Sequence, residues 1–183
     1  MSSFGGEKRE IDQIRSASDY VRYIIPHEEM VSLDQFKPLI KWWQSIHNEY
    51  GYLPSRKDFN PVDFSTQLPN ISILEPVYEG SEITDYMTSL IGTNLTKVYG
   101  ETTGVRASQI GNEYVAETVL ATCGQCIQQR QPLAVTAKAL SKDLPFMRSF
   151  ALYLPLASDH QTIDKIMVYI FFEKSTHNGG AGL

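Results

Sequence analysis

Three strand-like runs near the C-terminal end of the chain constrain the fold more than any other feature. They are Leu133 to Leu140, Phe146 to Leu156 and Ile163 to Glu173, and each is rich in β-branched and aromatic residues. Only the turns at Lys142-Asp143 and Ser158-Asp159-His160 separate them. Parallel neighbours need a long crossover connection, whereas antiparallel neighbours can be joined by a tight turn. The three runs therefore predict an antiparallel meander.

A hairpin and a long helix precede the meander. Ile71 to Val77 and Ile83 to Thr93 are predicted strands, and the turn Glu79-Gly80-Ser81 joins them. After a short turn-like connector, Asn112 is placed to cap a helix from Glu113 to about Arg130. That helix must cover one face of the sheet, because a lone sheet cannot bury its apolar face. The predicted fold is α+β: a five-stranded antiparallel sheet covered on one face by helices.

Two flanking helices are predicted before the sheet. Apolar residues at loose helical spacing indicate one helix from Glu10 to Ile25, which Pro26 ends. Asp34 to Tyr50 carries a clearer apolar stripe, and Pro38 implies that this helix starts near Lys37. We expect an N-terminal extension that is partly helical (residues 1–33), a domain with its flanking helix (residues 34–174) and a flexible tail (residues 175–183).

The segment between the flanking helix and the first strand, LPSRKDFNPVDFSTQLPNISILEPV, contains no histidine or cysteine. Asn60 and Pro61 combine a capping residue with a proline at the first helical position. They predict a short helix from Pro61 to Gln67, which Pro69 ends. We interpret this segment as a structural connector rather than a catalytic loop.

The composition is that of an ordinary globular protein, with 183 residues, 42% hydrophobic and 20% charged residues, and a net charge of −5. A nucleic-acid partner is not expected, because it would favour a basic face. The two cysteines form no disulfide framework, and the first residues lack the apolar run of a signal peptide. The longest apolar run, Ile166 to Phe172, is far shorter than the roughly 20 residues of a membrane helix. We expect a cytoplasmic protein without membrane contact.

The order of hairpin, helical connector, long helix and meander is that of a PAS domain, and four motifs give a closer resemblance. They are GYLPSRKDFNPVDFSTQLPNISILEPV, SLIGTNLTKVYGETTGV, LYLPLASD and IMVYIFF, within about Trp42 to Phe172. The chain resembles a family of small bacterial PAS-like proteins that are common as stand-alone domains in alphaproteobacteria. The matching residues are Leu53, Pro54, Arg56, Asp58, Phe59, Pro61, Asp63, Leu68, Pro69, Gly92, Thr93, Thr103, Gly104, Pro155 and Leu156. Ser89 departs from the pattern, which often has arginine there.

This resemblance implies sensing or protein interaction in signal transduction, usually as a homodimer, with a signalling protein as a further partner. It carries over no catalytic residue. Ligands of the wider class include haem, flavins and small metabolites, and many members have no known ligand, so the cofactor of this chain is unknown. The cysteine motif of flavin photosensors, Asn-Cys-Arg-Phe, is absent.

A ligand pocket is predicted between the long helix and the sheet, where aromatic residues concentrate. Its expected lining is Tyr99, Val119, Cys123, Phe146, Tyr153 and Tyr169. Apolar walls with a few polar groups such as tyrosine hydroxyls would suit a flat or apolar ligand. A plain hydrophobic core is the alternative. Along the fourth strand, Leu152 and Leu154 share one face and Ala151 and Tyr153 the other, and the pattern does not decide which face meets the helix.

The motif Cys123-Gly-Gln-Cys126 has the spacing of a redox pair or half a zinc site. It lies late in the helix and lacks a second pair of ligands. Val115, Val119 and the two cysteines form one stripe at helical spacing, which favours packing of both thiols in the core. Redox and metal roles are the less favoured alternatives, and no metal site is predicted.

No catalytic residue is predicted. The histidines are scattered, and none is placed to bind haem. The acidic residues Asp85, Glu113, Glu117 and Asp143 fall by pattern on exposed positions or in turns. A small cavity enzyme of the steroid-isomerase type would need a carboxylate or histidine with a raised pKa facing the cavity. That enzyme is kept as an alternative from another functional class.

Trp42 and Trp43 are adjacent on the flanking helix, so their side chains point about 100° apart. One can pack on the domain while the other faces outward. Together with Phe36 and Tyr50 they form the predicted dimer or partner surface, because aromatic residues are enriched in interface cores. The first hypothesis is a sensor that acts through ligand-dependent dimer contacts. A ligand-free interaction adaptor is the second.

Overall fold

The structure is a computed structural model that describes residues 22–138 and 147–174. Its helices are α1 (His27–Ser32), α2 (Lys37–Tyr50), α3 (Thr93–Tyr99) and α4 (Glu113–Gln129). Its strands are β1 (Tyr23–Ile25), β2 (Ile71–Glu79), β3 (Glu82–Ile91), β4 (Leu133–Lys138), β5 (Met147–Leu156) and β6 (Lys165–Lys174). Single 3-10 turns occur at Arg56–Asp58, Pro61–Phe64, Leu68–Asn70 and Ala107–Gln109.

All six strands form one sheet in the order β1-β4-β5-β6-β2-β3, and every pair of neighbours is antiparallel. The predicted antiparallel α+β fold is therefore confirmed, with six strands instead of five. The additional strand is β1, whose Ile24 pairs with Val135 at the outer edge of β4.

The predicted helix from Glu10 to Ile25 is wrong at its C-terminal end, where residues 23–25 form β1. Two successive β-branched residues favour a strand, and Pro26 cannot continue a helix. The free edge of β4 provides the pairing partner. Residues 10–21 of that predicted helix lie outside the described residues, as do the tail (residues 175–183) and the turn at Lys142-Asp143.

The long helices follow their local signals. Helix α2 begins at Lys37 with Pro38 in its first turn and ends at Gly51, which adopts the left-handed conformation with φ 71°. In α4, the side chain of Asn112 accepts hydrogen bonds from two backbone N–H groups of the first turn, as predicted. The predicted short helix after Asn60 is only the 3-10 turn Pro61–Phe64, whose backbone bond from Asp63 N–H to Asn60 O at 3.2 Å spans three residues instead of four.

Helices cover both faces of the sheet, so the predicted cover on one face only is wrong. Ala151 and Tyr153 of β5 face α3 and α4 across a small cavity. The opposite face of the sheet packs against α2, where the ring of Phe36 makes edge contacts with Tyr169 and Phe171. Both faces of β5 and β6 are apolar, so each face requires a cover. The flanking helix α2 is therefore an integral layer of the fold.

The connector between α2 and β2 joins these layers. The backbone N–H of Ala157 donates to Pro54 O at 2.9 Å, and that of Leu53 donates to His160 O at 3.2 Å. Ser55 and Asp58 form a reciprocal capping box around the first 3-10 turn. The two backbone bonds attach the connector to the loop after β5, which agrees with the structural role predicted for it.

Candidate functional site

A cavity of about 90 Å³ lies between α3, α4 and the sheet. Its apolar walls come from sheet residues such as Leu74, Val135 and Val168 and from helix residues such as Leu95 and Val119. The remaining lining consists of hydroxyl side chains: Ser72, Thr88, Tyr99, Thr102, Thr118, Ser149 and Tyr153. No charged residue from the described part of the chain contributes to the lining.

Several of these hydroxyl groups are already engaged within the protein. Ser72 Oγ donates to Leu90 O at 2.9 Å, and Ser149 Oγ donates to Ala137 O at 3.1 Å. Tyr153 is almost fully buried, and burial raises the pKa of its phenol, so this group stays protonated and neutral. The cavity thus combines a neutral apolar surface with a few hydrogen-bonding groups, a combination typical of small-molecule sites.

Three of the six predicted pocket residues, Tyr99, Val119 and Tyr153, line the cavity. Cys123 is fully buried in α4 but does not line it. Tyr169 lies on the opposite face of the sheet, against Phe36, and so cannot contribute to the pocket. The sixth residue, Phe146, lies outside the described residues. Tyr99, Val119 and Tyr153 therefore line a cavity, but their role in binding a ligand stays a prediction.

Strand register explains why Tyr169 does not line the cavity. In β6, Val168 pairs with Tyr153 and Ile170 pairs with Ala151, so Val168 and Ile170 face the cavity and Tyr169 faces away. The period-2 alternation of β5 would have identified Ala151 once Tyr153 was assigned to the cavity. The polar residues Ser72 and Thr88 carry no comparable signal, since their inward orientation depends on pairing across the sheet.

Both cysteines of the Cys123-Gly-Gln-Cys126 motif are buried free thiols. Burial raises the pKa of Cys123 well above its usual value and that of Cys126 to about 12. The Cys126 thiol lies 3.9 Å from Tyr153 O. Such thiols are protonated and unreactive at neutral pH. Within residues 22–138 and 147–174, no group of three or more histidine, cysteine or acidic side chains could hold a metal ion.

The predicted partner surface is only partly at the surface. Phe36 and Trp43 are completely buried, and Trp43 Nε1 donates to Pro155 O at 2.9 Å. These two residues belong to the interface between α2 and the sheet, so their assignment to a partner surface is wrong. Trp42 is half-buried against Phe59, with ring centroids 5.2 Å apart. Tyr50 is 55% exposed at the end of α2.

Asp85 is buried instead of exposed, contrary to the expectation from its strand pattern. Burial opposes its ionisation, but hydrogen bonds from the Ser108 hydroxyl and from the backbone N–H groups of Tyr86 and Ser108 hold its pKa below the usual value. Asp85 does not line the cavity. His47 and His160 contact backbone carbonyl oxygens outside it.

Within the described ranges, no helix is both long enough and apolar enough to cross a bilayer. The family model for the PAS domain matches residues 32–170. No curated protein and no solved structure matches the chain. PAS domains are sensory and interaction domains of signal transduction and are generally not enzymes. Since the match covers most of the 183 residues, the chain belongs to the PAS domain family.

Proposed function

We propose that this domain is a bacterial cytoplasmic sensor that binds a small uncharged molecule between α3, α4 and the sheet. The observation that carries the proposal is the cavity itself, whose lining is apolar apart from hydroxyl groups. The proposed ligand contacts are Tyr99, Val119 and Tyr153, which the sequence predicts, together with Ala151 and Val168. Signalling would follow if the ligand bound two conformations of the domain with different affinity.

The chemistry of the lining supports an uncharged ligand. Moving an ionised group from water into an apolar site is very unfavourable unless a partner of opposite charge is present. The described lining offers no such partner, whereas its hydroxyl groups can bond to an alcohol, amide or carbonyl group. A charged metabolite is therefore disfavoured.

The volume of the cavity sets the size of the ligand. An engineered cavity of about 150 Å³ in another protein stays dry and binds benzene. At about 90 Å³, this cavity suits a molecule with fewer non-hydrogen atoms than benzene unless its walls move apart. Branched short-chain alcohols match both the size and the polarity of the site.

Partner contacts complete the proposal. We expect a homodimer or a complex with a signalling protein, in which the exposed ring of Tyr50 and the half-buried Trp42 contribute to the contact. Aromatic residues with their polar atoms near the surface are frequent in interface cores. This surface lies on α2, which packs directly on the sheet that forms one wall of the cavity.

The test compares two probes, isobutanol and isobutyrate, which share a carbon skeleton and differ in charge. Methyl NMR spectra should show isobutanol shifting the signals of Val119 and Val168, while isobutyrate leaves them unchanged. The substitution Ala151→Leu should fill the cavity and abolish the response. Ala121→Leu, on the exposed side of α4, is the matched control and should respond like the unmodified protein.

Native mass spectrometry of freshly purified protein provides a second readout. Additional mass that is present in the unmodified protein and absent in Ala151→Leu would support the proposal and give the ligand mass. Shifts that persist in Ala151→Leu, or no response to isobutanol at all, would contradict it.

The second candidate function is a ligand-free interaction adaptor. The small volume of the cavity favours an adaptor, because a void of about 90 Å³ can also result from imperfect packing of a hydrophobic core. An adaptor predicts partner binding that is unaffected by Ala151→Leu. The cavity-enzyme alternative has less support, since the described lining includes no carboxylate or histidine.

A further inference from the structure

The segment Arg22–Ile25, just before α1, contacts two separate walls of the cavity. The backbone of β1 pairs with β4, where Ile24 lies opposite Val135 and Ile25 opposite Ala134. Val135 also lines the cavity. Arg22, the residue before β1, donates a hydrogen bond from Nη1 to Thr122 Oγ1 of α4 at 2.7 Å. One short segment is thus bound both to the sheet and to the helix that covers it.

The arginine contact lies on the part of α4 that faces the cavity. Thr122 is fully buried, and its Oγ1 donates to Thr118 O at 2.6 Å. Thr118 and Val119, one turn earlier, are lining residues. The charge of Arg22 also lies near the Tyr153 phenol, where it partly opposes the rise of the tyrosine pKa that burial causes. A chain of direct contacts therefore connects Arg22 to the cavity.

We propose that the Arg22–Thr122 hydrogen bond couples ligand binding to release of the segment Arg22–Ile25 from the sheet. This inference depends on the proposed function, since it concerns regulation of the same cavity. A ligand larger than the cavity needs its walls to move apart, and the walls that the Arg22 contact holds together are α4 and β4. The hydrogen bond spans that gap, from a strand fixed on β4 to a side chain of α4. Widening the gap weakens the bond.

Thermodynamic linkage gives the coupling a measurable sign. If a bulky ligand weakens the bond, then removal of the bond must strengthen binding of that ligand by the same factor. A ligand small enough to fit without widening the gap must be insensitive to the bond. The effect of Arg22 should therefore grow with the size of the ligand.

The experiment measures the dissociation constants of isobutanol and the larger cyclohexanol by NMR titration. Arg22→Met should bind cyclohexanol roughly fivefold more tightly than the unmodified protein does, and isobutanol about equally. Arg130→Met is the matched control, because Arg130 bonds Gln161 O at 2.7 Å from the C-terminal end of α4. It should leave both constants unchanged.

Hydrogen exchange is the second readout. Saturating cyclohexanol should accelerate exchange of the amides of residues 23–25, and Arg22→Met should show fast exchange without ligand. Thr122→Val, which removes the acceptor at similar volume, serves if Arg22→Met does not fold.

The outcomes separate the two proposals. Equal cyclohexanol affinity in the unmodified protein and the variants would overturn the coupling while leaving the proposed ligand site intact. Binding of isobutanol but of no cyclohexanol in any form would also overturn it, since the gap then does not widen. Failure of isobutanol to bind would refute the proposed function itself, and the coupling with it.

Discussion

Gly92 lies where the end of β3 crosses the turn before β2. Its N–H donates to Ile71 O at 2.7 Å, and a Cβ atom at this position would lie 2.4 Å from Pro69 O. Backbone surrounds the position, so no flexible side chain can move to make room. This contact brings together two of the family motifs, Leu68-Pro69 and Gly92-Thr93. Pro69 and Gly92 are 23 residues apart in the sequence. Only glycine permits the approach.

We predict that Gly92→Ala lowers the free energy of unfolding by about 2–4 kcal/mol, the size of a severe overpacking change. The measurement is urea denaturation followed by tryptophan fluorescence. Gly111→Ala is the matched control, because a Cβ there meets nothing within 4 Å, and we expect it to be close to neutral. Equal stability of the two variants would show that the close approach is not rigid.

At the scale of single residues, the side-chain assignments succeeded where a local rule decided them. Asn112 and Gly51 were identified from cap preferences alone. Helical geometry predicts that the side chains of Trp42 and Trp43 diverge, but only the packing of α2 on the sheet shows that Trp43 is the buried one. The strand pattern does not predict the burial of Asp85, because its bonding partner Ser108 lies 23 residues further on in the chain.

Between elements, Asp85 connects β3 to the 3-10 turn Ala107–Gln109 that precedes α4. Its carboxylate accepts hydrogen bonds from both the hydroxyl and the N–H of Ser108. These bonds exist fully only while the carboxylate is ionised. Because the pKa of Asp85 in the folded state is below its unfolded value, ionisation stabilises the fold above the unfolded pKa. That stabilisation is lost as the pH falls through the folded pKa.

We therefore predict that Asp85→Asn destabilises the protein by about 1–3 kcal/mol at pH 7, since it replaces an acceptor with a donor in a buried bonded site. The difference from the unmodified protein should shrink when the pH falls below about 4. Denaturation curves at a series of pH values provide the measurement. Glu82→Gln, at the exposed start of the same strand, should have no comparable effect. A pH-independent difference would contradict the assignment.

The elements that could be predicted are those with signals inside their own sequence. The boundaries of α2 and α4, the hairpin and the meander follow from prolines, caps and short turns, whereas the short helix α1 was not predicted. Strand β1 could not be predicted, because its partner β4 lies more than 100 residues away and only the pairing makes three residues a strand. Half of the predicted pocket residues line the cavity. The other lining residues could not be predicted, because their orientation depends on strand register and on contacts across the sheet.

For the whole molecule, the proposed homodimer makes a prediction about mass. Light scattering should give about twice the chain mass of 20.7 kDa at micromolar concentration. Tyr50→Ser should weaken association roughly tenfold, as expected for an aromatic contact near the centre of an interface. Tyr78→Ser, equally exposed on the β2–β3 hairpin, is the control and should leave the dimer intact. A monomer at every concentration would exclude the dimer.

Strand β1 has one more consequence, because the family match begins at residue 32 and β1 precedes it. Without β1, the unpaired backbone groups of β4, an apolar strand, would form a template for sheet growth with other chains. The strand that covers them is only three residues long and is followed by Pro26, two features that make an edge a poor template. Strand β1 thus works against aggregation of the ligand-free domain, because it covers the edge that β4 would otherwise expose.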